Sequence, residues 1–482
     1  MRILEAVYNA VWGVPALILI LGVGVFLSVR TRFVQLRWLP KALKLFALRM
    51  SGKSDPQTGV SSFQAMCTAL AATVGTGNLA GVAGAIAIGG PGAVFWMWIC
   101  GILGMMIKFA EATLAVRFRM KNESGEYVGG PMYIIRRALG KRFHFLAGVY
   151  AFFGVAAAFG VGNATQVNTV ITSLSDTLSQ FGLAMHPGVR LLIGLGLAVL
   201  IAGMLLGGAR RIGSIAERLV PFGAIVYLLL GILVLILRCD AIGAAFSSIL
   251  IGACSPDAVT GGAVGSALTA LRIGVSRGVF TNEAGMGTAS IAHAGADVQH
   301  PVEQGMMGIV EVFLDTIVIC TITALVILVS GIDIPYGFDV GISLTNAAFS
   351  CVLGNWVGVV LSLSLCLFAL ATVLGWGLYG IRCAQYLFGD GVWRKFVFLQ
   401  VAVVVIGAVV RAETIWLLAE ILNGLMAIPN LIAILALMPE LMSINRNYLN
   451  GGTYEDFNQC KSLRILPHAY VPPAGSGGQG AG

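Results

Sequence analysis

The sequence predicts an all-α membrane protein of eleven transmembrane helices: one extra N-terminal helix, then a five-plus-five inverted repeat with two discontinuous helices. Three observations predict it. The 482 residues are 57% hydrophobic and only 11% charged, with a mean hydropathy of +0.89, whereas soluble domains carry about a quarter charged residues. Basic residues crowd some loops and avoid the next, as the positive-inside rule requires of a multi-span chain. Two apolar segments are interrupted by Gly-rich polar strings, "TVGTGNLAG" at 73–81 and "RGVFTNEAGMGTAS" at 277–290.

The first apolar run, 11–29, is short, but basic residues follow it and no small-x-small cleavage site ends it. It therefore reads as an uncleaved span within an N-terminal element 1–30. Residues 31–62 form a basic segment whose amphipathic part, Leu36 to Met50, suits the cytoplasmic membrane surface. Runs at 63–88, 92–116, 144–173, 188–207 and 213–237 make the first repeat, 63–238. The second repeat, 239–438, contains runs at 303–331, 355–379, 396–411 and 414–438, together with 259–292.

That last segment carries Arg272, Arg277 and Glu283, so hydropathy alone does not decide it. Loop charge does. Arg30 to Lys53, Arg117 to Arg142 and Arg210 to Arg218 lie on one side, and Arg382, Arg394, Lys395, Arg446, Lys461 and Arg464 join them only if 259–292 crosses once. The N-terminus is then outside and the C-terminus inside, in a multi-pass protein of the cytoplasmic membrane. The tail 439–482 is cytoplasmic, and its end, "PPAGSGGQGAG", has the composition of a disordered segment. The formal charge of +8 is thus a matter of topology rather than of a nucleic-acid partner. The nine Cys fall mostly within spans and read as small packing residues.

The interruptions carry the chemistry. Gly is a poor helix former, and Asn in hydrocarbon is costly unless paired. A helix that stops and restarts at mid-membrane leaves carbonyls on one side, suited to a small cation, and amides on the other, suited to a carboxylate. With the first span set aside, each break falls in the first helix of its five. Interrupted helices at matching positions of inverted halves point to a transporter's central site. The alternative reading of Gly77-xxx-Gly81 is a helix-packing surface.

The strings "GTGNLAGVAGAI", "GGPGAVFWMW", "GGPMYII" and "TNEAGMGTASIAHA" resemble the alanine/glycine:cation symporter family, from the first span to about Pro439. The last string is the most specific. The resemblance implies the LeuT fold, alternating access and import of a small neutral amino acid, chiefly alanine or glycine, with Na⁺ as coupling ion and no other cofactor. It implies that the amides of Gly75, Thr76 and Gly77, with Asn78 beside them, hold the substrate carboxylate. It also implies that the carbonyls of Ala71 and Val74 face Na⁺, completed by Thr372 and backbone oxygen near Phe368. Gln166 reads either as a substrate ligand or as a helix–helix hydrogen bond. Trp376, one turn from Thr372, reads as a pocket wall or as packing. Phe280, Thr281 and Asn282 lead into the second break and are expected to line the opposite wall.

Other intramembrane charges leave alternatives. Lys108 and Glu111 pair with each other, or Lys108 snorkels. Glu283 pairs with Arg272 or Arg277, and Glu311 and Asp315 couple ions or form a salt bridge or gate. His293, His300 and Asp297 lack a third close ligand for a metal. The absence of a carboxylate between Cys67 and Pro91 suits a substrate that brings its own. No nucleotide motif is present, so an ion gradient is the expected driving force. The rival functions are a proton-coupled or Na⁺-independent carrier, a channel, and an intramembrane enzyme. The last is disfavoured because all five His lie at or near loops. The topology is checked by cysteine labelling: a thiol at Gly337 reacts from outside and one at Asp390 only from the cytoplasm. The opposite pattern removes 259–292 as a span and the inverted repeat with it.

Overall fold

A computed structural model describes residues 7, 11, 13–51 and 60–452, apart from 124, 263, 265, 339 and 411. The expected disordered tail end lies outside the described residues. Seven helices are long and apolar enough to cross a bilayer, or nine spans if each of two bent pairs counts as one. Two expected runs fall outside those nine: the first, whose helix α1 (Val14–Arg30) has 17 residues, and 259–292, which is split into two short helices.

The basic segment forms α2 (Leu39–Ser51). Next comes the first interrupted unit: α3 (Ser62–Thr73), a π-helical turn over Gly77–Gly81, and α4 (Val82–Gly89), with a 48° bend at the break. A capping box starts α3. Ser61 Oγ accepts the Gln64 amide at 3.1 Å, and Gln64 Oε1 accepts the Ser61 amide at 3.2 Å. Then follow α5 (Gly92–Phe118), α6 (Pro131–Ala138), α7 (His144–Phe159), a second π turn at Gly160–Ala164, α8 (Thr165–Gln180), α9 (Pro187–Leu205) and α10 (Gly208–Leu237).

The second half runs through α11 (Ile242–Cys254), the split pair α12 (Ala267–Asn282) and α13 (Thr288–His293), and α14 (Pro301–Val312). A long π segment, Phe313–Cys320, leads from α14 into α15 (Thr321–Val329). It closes with α16 (Ile342–Leu353), α17 (Trp356–Phe388), α18 (Trp393–Val409), α19 (Ala412–Ala436) and α20 (Met438–Leu449). Helices α11 and α16 were not expected from the sequence. At 13 and 12 residues they are shorter than the roughly 20 that a span needs.

The helices sort by what they face. α9, α10 and α18 present large apolar side chains such as Leu192, Val199, Phe222, Ile236 and Phe398 outward, where a bilayer would cover them. The interrupted units, α5 and α17 are largely buried inside. Small residues allow that density. A Cβ on Gly92 would overlap the Gly252 carbonyl of α11, and one on Gly375 of α17 would sit 3.1 Å from the Thr68 carbonyl of α3.

Two short ladders finish the fold. β1 (Val60–Ser61), just before α3, pairs in parallel with β4 (Ala296–Asp297), just after α13, in the register Val60–Ala296. The entrance of one interrupted unit is thereby tied to the exit of the other. β2 (Met120–Lys121) and β3 (Tyr127–Val128) form an antiparallel hairpin between α5 and α6.

The Gly92 contact is backbone on backbone and has no side chain to yield. Gly92→Ala is expected to destabilise the protein by about 1–3 kcal/mol, read as a lowered detergent melting temperature. Gly22→Ala, where nothing lies within 4 Å of the new methyl, is expected to be neutral or slightly stabilising.

Candidate functional site

At the first break, β-branched Thr73 and Val74 end α3 and the chain turns at Gly75. In a continuous helix the Gly75 amide would bond to the Ala71 carbonyl. Instead it donates to Asn78 Oδ1 at 2.9 Å, which releases Ala71 from the ladder. Asn78 Nδ2 donates to Asp315 Oδ1 at 2.7 Å and approaches Cys320 Sγ at 3.3 Å. Asn78 thus serves as a cap for the break, with its amide group turned toward the π segment after α14. The Leu79 carbonyl, in the π turn, accepts the Thr345 hydroxyl of α16 at 3.0 Å.

The second break uses the same device. Asn282 Oδ1 accepts the Ala284 amide at 2.9 Å, and its Nδ2 donates to Thr316 Oγ1 at 3.1 Å. Thr316 in turn donates to Asp315 Oδ2 at 2.9 Å, so one carboxylate joins both capping asparagines. Glu283, Gly285 and Gly287 all have positive φ, a backbone that the glycines adopt without strain. The buried amides of Gly285 and Gly287, freed by the break, both donate to Glu111 Oε1 at 3.0 Å, and Asn430 of α19 adds a third donor at 2.7 Å.

Two groups of expected site residues come together. A Cβ on Gly75 would lie 2.6 Å from Thr372 Oγ1 and 3.4 Å from Gln166 Oε1. A Cβ on Gly77 would lie 3.2 Å from Thr281 Cγ2 and 3.5 Å from the Phe280 ring. Gln166 Nε2 fills the Val161 carbonyl opened by the second π turn, at 3.1 Å. Its Oε1 is buried and has no partner among the described residues, and the same holds for Thr76 Oγ1. The Thr372 hydroxyl donates to the Phe368 carbonyl at 3.0 Å, which leaves its oxygen lone pairs toward Gly75. The Gly375 contact holds α17 against the last turns of α3, the stretch that carries Ala71 and Val74.

Trp376 is placed differently from Thr372. Its ring packs on Gly162 and edge-on to Tyr379, and Nε1 donates to Glu283 Oε1 at 2.8 Å. The other Glu283 oxygen accepts the Thr288 hydroxyl at 2.6 Å. Of the pairings expected for Glu283 and Arg277, the structure directs Glu283 to these two donors and Arg277 to Glu420 at 2.6 Å.

Lys108 pairs not with Glu111, three residues away on its own helix, but across to Glu311 at 2.8 Å. Both side chains are fully buried. His293 Nε2 meets the other Glu311 oxygen at 3.0 Å, Gln304 Nε2 meets His293 Nδ1 at 2.7 Å, and Ser62 Oγ donates to Gln304 Oε1 at 2.7 Å. The donors run in one direction if His293 carries its proton on Nε2. Of the two readings for Glu311, the structure has the salt bridge.

Sequence reading missed Glu111 and Asn430 as closers of the second break. A signal existed for Asn430: "AIPN" puts a polar side chain after Pro429 inside an apolar run.

The profile of the sodium:alanine symporter family matches residues 1–459. The sodium/alanine symporter AgcS of Methanococcus maripaludis is 42% identical over 448 residues, 92% of this chain and 95% of that one. The probable sodium/glutamine symporter GlnT of Bacillus subtilis is 36% identical over 445 residues, 91% and 89% of the two chains. Among solved structures, MhsT in complex with L-phenylalanine aligns with a TM-score of 0.59 at 16% identity, over 79% of this chain and 89% of that one. That likeness identifies a shared fold.

Trp376→Phe keeps a ring against Gly162 but leaves Glu283 Oε1 without its indole donor. Leaving a buried acceptor unsatisfied costs about 1–3 kcal/mol, so the variant is expected to melt lower. An unchanged melting temperature would mean that the indole bond carries no stability.

Proposed function

The chain belongs to the sodium:alanine symporter family, whose members couple amino-acid transport to Na⁺, and we propose that it imports alanine or glycine by alternating access. The observation that carries this reading is Gln166 Oε1: a buried acceptor with no partner among the described residues, beside a helix break at Gly75. An unpaired buried oxygen is costly, and the ammonium of an amino acid supplies the missing donor. The carboxylate then takes the restarting amides of Thr76 and Gly77, where the helix dipole favours negative charge. Asn78 and Asn282 support this substrate site as its frame rather than as direct ligands. Phe280 and Thr281 lie against Gly77, where they would bound the substrate's side chain and favour a small one.

The Na⁺ site proposed here comprises the Ala71, Val74 and Phe368 carbonyls with Thr372 Oγ1. It is an all-oxygen set of the kind a hard cation prefers, and it adjoins the carboxylate so that the charges offset. The matching asparagine caps support the inverted repeat of 63–238 and 239–438. The charge distribution supports eleven spans in the cytoplasmic membrane, N-terminus outside. A cavity of about 280 Å³ lies between Thr68 of α3, Ile291 of α13 and the basic residues Arg210 and Arg382, which supports access from the basic-loop side. Trp376 stands as a wall behind the break, fixed by Glu283. A proton-coupled or Na⁺-independent carrier remains the rival, and Thr372 is the residue that separates the readings.

Labelled alanine uptake into proteoliposomes, with and without an inward Na⁺ gradient, tests the proposal through two variants. Thr372→Ala is expected to raise the half-saturating Na⁺ concentration roughly tenfold, equivalent to about 1.4 kcal/mol, with alanine affinity little changed at saturating Na⁺. Gln166→Met is expected to do the reverse, weakening alanine about 10- to 100-fold for a lost bond to a charged group. Uptake indifferent to Na⁺ in the unaltered protein defeats the symport reading. An unchanged Na⁺ dependence in Thr372→Ala moves the cation to another helix.

A further inference from the structure

The 280 Å³ cavity is near the lower end of small-molecule sites, roughly 300 Å³, and among its walls are Thr68, Tyr127, Ala292, Leu378, Glu126 and Arg382. Thr68 connects this cavity to the packing around the first break. The Thr68 carbonyl is 3.1 Å from the Cβ position of Gly375, and Gly375 is one turn from Thr372. At its outer part stands an ion pair of unequal partners. Arg382 is only 7% exposed; its Nη1 donates to Gln385 Oε1 at 3.0 Å and its Nη2 to Glu126 Oε2 at 2.8 Å. The Glu126 side chain is 46% exposed and rides on the β2–β3 turn. There its own amide donates to Asn122 Oδ1 at 2.8 Å.

An anchored guanidinium therefore faces a carboxylate whose side chain is half exposed to solvent. A neutral amino acid is a zwitterion of matching polarity. We propose that the Arg382–Glu126 pair is a second, release-side subsite for the transported amino acid, which inserts with its carboxylate on Arg382 and its ammonium on Glu126. The proposal rests on the amino-acid symport reading above. The exchange opens one ion pair, forms two, and changes the net charge of the cavity by nothing. A planar guanidinium suits a carboxylate on either partner. A monocarboxylate would take Arg382 but leave Glu126 unpaired, and an amine would do the converse. The subsite thus favours molecules that carry both charges, after the break has selected for size.

The test uses the full-length protein in proteoliposomes of known orientation, comparing half-saturation for labelled alanine at the two faces. Arg382→Gln is expected to raise the value at the basic-loop face about tenfold and to leave the opposite face within about twofold. Equal changes at both faces, or none, overturn the subsite. Glu126→Gln removes the resident carboxylate, so propionate added at the basic-loop face is expected to compete with alanine efflux in this variant and not in the unaltered protein. If Arg382→Gln does not reach the membrane, the propionate result decides alone, and absence of competition overturns the proposal. Unaltered protein that moves no alanine defeats the transport reading and the subsite with it. Normal transport with an indifferent Arg382→Gln defeats the subsite alone.

Discussion

Backbone amides and carbonyls inside a bilayer must be satisfied by protein, because no water is there to do it. This fold ends helices twice at buried positions and so creates that demand twice. The first break is met by Asn78, the second by Asn282 and Glu111. Much of the interior follows from those three side chains. Asn78 donates to Asp315, and Asn282 donates to Thr316, whose hydroxyl donates to the same carboxylate, which fixes Asp315 and Thr316 between the two caps. Glu111 needs a third donor, which brings Asn430 of α19 against the second break.

The buried charges follow the same logic at higher stakes. Removing one partner of a buried ion pair typically costs about 3–5 kcal/mol, so Lys108 and Glu311 commit α5 and α14 to one another. Through His293, Gln304 and Ser62 the chain of polar contacts continues into α13 and α3. It joins both interrupted units to one cluster beneath the breaks, next to the β1–β4 ladder that ties their ends.

What could be read from the sequence follows from how far each physical rule reaches. A bilayer imposes a length on apolar runs, so the expected runs fall on helices, with 259–292 divided between α12 and α13. Gly and Asn in the middle of such a run contradict its purpose, so both breaks were visible as breaks. Partnerships were not visible. Lys108 and Glu111 sit three apart, the spacing of a helical ion pair, yet packing gives Lys108 to Glu311. Glu283 lies near two arginines in sequence, but its carboxylate goes to Trp376 and Thr288. Within the site, Gly75, Gln166 and Thr372 stand together, but the Gly75 amide, expected on the substrate carboxylate, is taken by Asn78. Asn78 was named as a ligand, whereas its carbonyl is already taken by the Gly75 amide. Helices α11 and α16 escaped notice because a search tuned to membrane thickness passes over them.

The pairing of Lys108 with Glu311 also sets a timetable for biosynthesis. The two residues are 203 positions apart, and at about 5–20 residues per second the ribosome needs roughly 10–40 s to travel from one to the other. Glu111 waits still longer for Asn430, and Asn78 waits for Asp315. Throughout that interval the part already made holds a lysine, a glutamate and a capping asparagine without the partners that the second half supplies. The nascent first half is therefore an incomplete object that the insertion machinery must shelter. The last helices to emerge finish the first ones.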